Sequence, residues 1–380
     1  MNKVYQIIAI NPGSTSTKVA VFDNDVKRFS VNVPHPTEEL RRFPEIVDQL
    51  DYRKETILRS LSEQEIDLTK TDAFSGRCTG LLPMPGGVYE VNDLMYQHGS
   101  IGPGSKHPGN LGPMIARDFA RQFGGRSFVV NPSSVDEFRI EARLTGLHDI
   151  LRTSRGHPLN QKEVSIRYAR QLGKRYEDIN VVVVHMGGGI SVTAHQHGRM
   201  VDTADSTRGE GRMAPTRTGA LPAAELVELC FSGKYTKKEL LDKIMKTGGW
   251  TDLLGTADAL EVERRIQAGD TFAKLVYDTT AYQISKDIGA YAAVLSGKVD
   301  GILLTGGLAY SKYLVGLITE MTSFIAPVCV FPGEFEMEGL AAGALRVLRG
   351  EEAPQYYTGE PVFRGFAAAG YTSPEREARS

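Results

Sequence analysis

The chain has 380 residues, 41% hydrophobic and 24% charged, a composition that suits a folded protein with enough chain for two cores. A formal net charge of -2 excludes nucleic acid as the main partner, because phosphate backbones select strongly basic surfaces. No run approaches the roughly 20 apolar residues that span a bilayer, and Cys78, Cys230 and Cys329 form neither a CxxC pair nor a metal-ligand spacing.

The apolar start, Ile7–Ile10, is too short for a signal-peptide core, so a soluble, cytoplasmic protein with reduced thiols is expected. Tyr5–Ile10 reads as a buried strand, Asn11–Ser16 as a polar turn and Thr17–Phe22 as a second strand. A turn at Asp23-Asn24-Asp25 leads to a third strand, Arg28–Val33. The pattern returns downstream: strand Val181–His185, turn Gly187-Gly188-Gly189, strand Ile190–His195, turn His197-Gly198, strand Met200–Thr203. Two such units predict an internally duplicated α/β fold.

A helix beginning near Asn160 shows Val164, Tyr168 and Leu172 on one face. Tyr277, Ala281, Ile284, Ile288, Tyr291 and Leu295 make a long apolar seam, read as core with room for a subunit interface. Ile302-Leu303-Leu304 is a buried strand ending in Thr305-Gly306-Gly307. Met337, Leu340, Ala341, Ala344, Leu345 and Leu348 define an amphipathic helix stopped by Gly350, and the Pro-, Gly- and charge-rich 351–380 reads as an extended surface tail, disordered at its end.

No GxxxxGK[ST] loop occurs, and Gly209–Ala214 fits a relaxed dinucleotide fingerprint without the strand and helix that should flank it. Phosphates must be held another way. Turns crowded with glycine and hydroxyl residues aim backbone N–H groups at anions. One such turn alone usually just joins a hairpin; the duplicated pair, joined by Thr305-Gly306-Gly307, favours a polyphosphate grip. Arg208, Arg212 and Arg217 form a basic cluster after the second unit, either a generic anion patch or the rim of an active site. Cys78 follows Arg77, which can lower a thiol pKa, yet an inert buried thiol is the commoner outcome.

Ile10–Lys18 resembles the N-terminal signature of the acetate and butyrate kinases, His185–Ser191 their second phosphate motif and Leu304–Ala309 their adenosine motif. Leu159–Lys162, Gly209-Glu210-Gly211, Leu253–Thr256 and Ala309–Lys312 resemble butyrate kinases in particular. The resemblance runs from about residue 4 to about residue 350. It implies a duplicated ribonuclease-H-like fold of the actin, Hsp70 and acetate kinase type, with two domains flanking a nucleotide cleft. The expected division is a substrate-side domain over 1–152, rejoined by helix 337–350, and a nucleotide-binding domain over 153–336, with 351–380 as tail.

The reaction implied is phosphoryl transfer from ATP to a short or branched fatty acid such as butyrate, reversible so that ATP forms from ADP and butyryl phosphate. A carboxylate is already ionised at neutral pH and needs no general base; alignment and positive charge do the work. By motif position, Arg77 orients the acid, Arg217 acts on the phosphoryl group, His157 donates to its oxygens and His107 stands near the substrate. Asn11, Ser14, Ser16, Lys18, His185, Gly187, Gly188, Gly189, Gly306 and Gly307 are the expected nucleotide contacts. Asn11 with Glu336 or Glu338 is expected to serve Mg2+.

Asn131 stands where the family usually has aspartate, so a negative charge is lost, with Asp136, Glu137 and Asp202 as candidate replacements. Acetate or propionate is the alternative substrate, decided by a pocket wall read at Leu81, Leu82, Met84 and Pro85. A nucleotide-binding protein without catalysis is the other alternative, favoured by Asn131 and opposed by Arg77, Arg217, His157 and Asn11. A homodimer is expected from the apolar seam, with no membrane partner.

Overall fold

The computed structural model describes residues 3–371. Among them no helix is long and apolar enough to cross a membrane. The chain forms two compact units: one runs through Asp136 and resumes at Leu340, the other is Glu137–Gly339. The first thus ends upstream of the 152 suggested by sequence.

The first unit holds β1 (Gln6–Pro12), β2 (Ser16–Asp23), β3 (Val26–Pro34), β4 (Thr71–Gly76), β5 (Val88–Glu90) and β6 (Arg126–Val130) in the order β3-β2-β1-β4-β6-β5. β1, β2 and β3 are an antiparallel meander, while β4 and β6 run parallel to β1. The second unit holds β7 (Asn180–Met186), β8 (Ile190–Gln196), β9 (Arg199–Thr203), β10 (Gly301–Gly306) and β11 (Val328–Pro332), ordered β11-β10-β7-β8-β9. Again a meander is followed by two parallel strands. The duplication read from the turns is a duplication of sheet topology.

Buried on both faces, β1, β7 and β10 read as continuous apolar runs, as parallel-sheet strands do. In the first unit the helices Leu50–Ser62 and Leu111–Phe123 cover the sheet through Ile57, Leu61, Ile115 and Phe119. In the second, the helix Thr271–Val294 covers it. Its seam residues Tyr277, Ala281, Ile284, Ile288, Tyr291 and Leu295 are all buried in that core, so the seam is not a subunit surface.

The stretch after the last helix is not a free tail over its described part. Tyr357 is 2% exposed and packs with Cys78, Leu81, Met84, Tyr89 and Met95. Its hydroxyl accepts from Leu82 N–H (3.2 Å) and bonds His98 Nδ1 (2.8 Å), while Asn92 Nδ2 donates to its carbonyl. Gln355 N–H donates to Val88 and Val362 N–H to Pro83. Leu81 and Met84, read as pocket wall, therefore belong to this small core; the expected disorder at 372–380 lies outside the described residues.

Removing the Tyr357 ring should cost about 3–5 kcal/mol of stability. Tyr357→Phe should cost about 1–2 kcal/mol by stranding Leu82 N–H. Urea unfolding of both variants checks the order, and equal stability of Tyr357→Ala and the parent chain would refute the docking.

Candidate active site

The candidate residues gather where ligands of open α/β sheets bind, at the carboxyl ends of parallel strands. In the first unit β1 ends at Asn11-Pro12 beside the end of β4 at Gly76, with Ile10 opposite Gly76. Arg77 leaves β4 there, and its Nη1 donates to Asn11 Oδ1 at 3.4 Å. Gly76 is obligatory, because a Cβ would lie 2.2 Å from the Gly112 carbonyl. Lys18 lies opposite Asn11 on β2, while Ser14 is exposed at the turn tip and Ser16 half-buried. His107 caps a turn through Nδ1, which accepts from Gly109 N–H at 2.9 Å. Burial, then the nearby Arg77 and Arg53, lowers its pKa, so it is a neutral ring with its proton on Nε2.

Sequence reasoning missed Arg53, a fully buried guanidinium from the helix Leu50–Ser62. It donates to the Gly13 carbonyl (2.9 Å), the Ser14 carbonyl (3.2 Å), Thr17 Oγ1 (3.2 Å) and Gln49 Oε1 (2.9 Å). Burial draws its pKa down to about 10, which still leaves it charged at neutral pH. Across a planar trans peptide the N–H points opposite to the carbonyl. With the Gly13 and Ser14 carbonyls turned inward to Arg53, the N–H groups of Ser14 and Thr15 turn outward, as an anion requires.

Thr17 Oγ1 accepts from Arg53 and is hydrogen-bonded to His35 Nε2, 2.8 Å away. His35 is buried, with Nδ1 lacking a partner among the described residues. Burial first, and Arg53 second, lowers its pKa to about 4.

In the second unit β7 ends at His185-Met186 before the turn Gly187-Gly188-Gly189, beside the end of β10 at Gly306. A Cβ on Gly306 would lie 2.3 Å from the Met186 carbonyl, whereas Gly307 faces open space. The glycine turn is held from behind: Thr216 Oγ1 donates to the Gly188 carbonyl at 2.9 Å. Gly189 makes room for Arg217, whose Nη1 would be 1.7 Å from an added Cβ. Arg217 Nη1 donates to the Ser206 carbonyl, and burial lowers the pKa of the guanidinium. His185 pairs with Ser191 across the sheet and bonds Asn160 Oδ1 at 3.1 Å. His157, just before the helix Pro158–Gln171, stacks on His185 with ring centroids 3.9 Å apart, and its Nδ1 lies 2.8 Å from Ser191 Oγ.

Glu336 and Glu338 open the helix Glu336–Leu348, in the second unit, whereas Asn11 is in the first. These oxygen donors suit a hard cation, but among the described residues no three His, Cys, Asp or Glu side chains cluster as a metal cage. The proposed replacements for a charge at 131 are already engaged in two cases. Glu137 is paired with buried Lys162, and Asp202 with Arg152. Asn131 itself sits at φ 40, a left-handed position that suits asparagine, and its Oδ1 accepts from Gly87 N–H at 2.8 Å. Arg212 pairs with Asp287, so the arginine cluster is not a uniform anion patch. Cys78 is inert: burial raises its pKa to about 12.

The Acetokinase family model matches residues 132–317. Butyrate kinase 2 of Clostridium acetobutylicum is 45% identical over 353 residues, covering 93% of this chain and 99% of that protein. The chain belongs to the acetokinase family. Solved acetokinase-family structures have the same fold. Porphyromonas gingivalis acetate kinase aligns with TM-score 0.72 and 19% identity, over 90% of this chain and 100% of that one. A propionate kinase of Francisella tularensis aligns with TM-score 0.70 and 17% identity, over 89% and 98%.

Acid should loosen the N-terminal turn through His35. Its folded pKa lies below the unfolded value of about 6.5, so the neutral ring is stable above that pH. Stability then falls as pH drops from 6.5 toward 4, by up to about 3 kcal/mol, and levels off below. His35→Gln should flatten this window in urea titrations at stepped pH; an unchanged slope would assign the acid sensitivity elsewhere.

Proposed function

We propose that this carboxylate kinase phosphorylates butyrate or a related four-carbon acid with MgATP, and runs in reverse from the acyl phosphate. The single observation behind the choice of acid is the 45% identity with butyrate kinase 2 over nearly the whole chain. Arg77 orients the acid's carboxylate through paired N–H donors, with His107 Nε2–H as a neighbouring donor. In the first unit Ser14, Ser16, Lys18 and the outward amides of the Asn11 turn are phosphate contacts. In the second, Gly187, Gly188, Gly189 and His185 are phosphate contacts, and Gly306 and Gly307 face the adenosine. Arg217 offsets the charge on the phosphoryl oxygens and His157 donates a hydrogen bond to them as charge shifts in the transition state. Magnesium, when bound, offsets phosphate charge; Asn11 and Glu336 or Glu338 would hold it together with phosphate oxygens and water.

Asn131 does not argue for a silent enzyme on this reading, since its side chain is engaged with the Gly87 N–H, extending the β5–β6 pairing. A coupled ADP-release assay with ATP and magnesium, offering acetate, propionate, butyrate and isobutyrate separately, tests the whole. Turnover should be strongest with the four-carbon acids. Preference for acetate or propionate would move the chain to the alternative substrate, and no turnover from protein that binds ATP would leave the non-catalytic reading.

The cytoplasm is the compartment proposed, on the strength of three unpaired cysteines among the described residues. A homodimer is also proposed, carried by a different surface from the seam. The helix Ala223–Phe231 buries none of its residues, with Val227 54% and Phe231 86% exposed. Sedimentation should give a dimer that Phe231→Glu dissociates; a monomeric parent chain would exclude it.

A further inference from the structure

Behind His157 lies a buried run of polar side chains that the reaction as proposed does not use. Gln161, one turn along the same helix, is fully buried, as is His195, while Ser191 is 2% exposed. Ser191 and His195 share a face of β8. Gln161 reaches both: its Nε2 is 2.9 Å from Ser191 Oγ and 3.3 Å from the Ser191 carbonyl, and its Oε1 is 3.4 Å from His195 Nε2. Tyr176 Oη lies 2.6 Å from His195 Nδ1.

One group in this run has a fixed polarity. The Ser191 carbonyl can only accept, so the Gln161 amide must present its nitrogen on that side. Every other direction follows. Gln161 Oε1 faces His195 and accepts from Nε2–H, which leaves His195 Nδ1 to accept from the Tyr176 hydroxyl. On the other side Gln161 Nε2–H donates to Ser191 Oγ. The Ser191 hydroxyl could accept twice, but its own proton then has His157 Nδ1 as the one acceptor among its described hydrogen-bond partners. Donating there leaves no proton of the run unpaired.

We infer that the chain Tyr176–His195–Gln161–Ser191 holds neutral His157 in the tautomer with its proton on Nε2, making Ser191 the positioning residue for that donor. The inference rests on the kinase reading for its purpose but on hydrogen-bond polarity alone for its content. A histidine that must donate to a phosphoryl oxygen is useless in the opposite tautomer, with a lone pair facing an anion. Nothing in the chain needs to change charge. Burial lowers the His195 pKa and raises that of Tyr176, so both stay neutral and the polarity does not reverse.

Long-range proton–nitrogen spectra of the full-length, 15N-labelled protein at alkaline pH read the tautomer directly, with His157→Asn identifying the signal. The parent chain should show His157 protonated at Nε2 and bare at Nδ1. Ser191→Ala should give a mixture of tautomers and lower kcat on the order of tenfold or more with little change in KM, and Ser191→Thr should restore both. A parent chain protonated at Nδ1, or Ser191→Ala leaving the nitrogen pattern unchanged, would overturn the inference. If Ser191→Ala does not fold, the parent spectrum decides alone. Since the spectrum needs no turnover, a chain inert toward every acid would count against the kinase reading while leaving this result intact.

Discussion

An amide that is to bind phosphate must face outward, and the carbonyl across the same peptide plane must then face inward and be satisfied there. Both glycine turns meet this constraint with donors brought from elsewhere in the chain. In the first unit the inward carbonyls of Gly13 and Ser14 are taken by Arg53. In the second the Gly188 carbonyl is taken by Thr216. The duplicated topology supplies two turns of the same kind, but the groups that fix their orientation are unrelated. A buried guanidinium with only neutral acceptors also adds positive charge behind the first turn, and a hydroxyl adds none.

The same contrast explains what was legible in the sequence. Strand, turn and strand lie within twenty residues of one another, so period and turn chemistry are enough to find both meanders and to suspect a repeat. The strand-end positions of the candidate residues were legible for the same reason, since Asn11, Arg77, His185 and Gly306 each follow a buried run. Arg53 was not, because nothing in a helical Asp51–Lys54 distinguishes an inward arginine from a solvated one until the turn it serves is packed beside it. Gln161, Ser191 and His195 escaped in the same way: their partnership is tertiary, between a helix and a strand.

Composition misled in two places, and burial explains both. The seam along Thr271–Val294 is long because the helix packs on β7 and β8 and along the helix Lys312–Thr322, so its length measures core and not interface. The helix Ala223–Phe231 exposes apolar surface at Val227 and Phe231, yet it is short and mixed with glutamates and does not stand out by length. The segment after Gly350 looks like a tail by its proline, glycine and charge. One tyrosine is enough to tie it down, because the Tyr357 ring fills a small core and its hydroxyl and carbonyl both find partners.

The chemistry asks for little that moves protons and much that holds direction. An ionised carboxylate needs no base, and a phosphoryl group in flight needs donors aimed at its oxygens. A neutral histidine can aim a proton with either nitrogen, so the ring's position alone does not make it a donor. Its partner on the far side has to choose. In this fold that choice is traced to a backbone carbonyl on β8, whose polarity cannot change, through an amide that can turn only one way against it and a hydroxyl whose proton finds its acceptor in His157 Nδ1. Stacking on His185 fixes the plane of the ring and Ser191 fixes its polarity. The two constraints come from neighbouring positions across one pair of strands, since His185 lies opposite Ser191 in the β7–β8 register. A slip of one residue in that pairing would turn Ser191 to the opposite face and remove the donor.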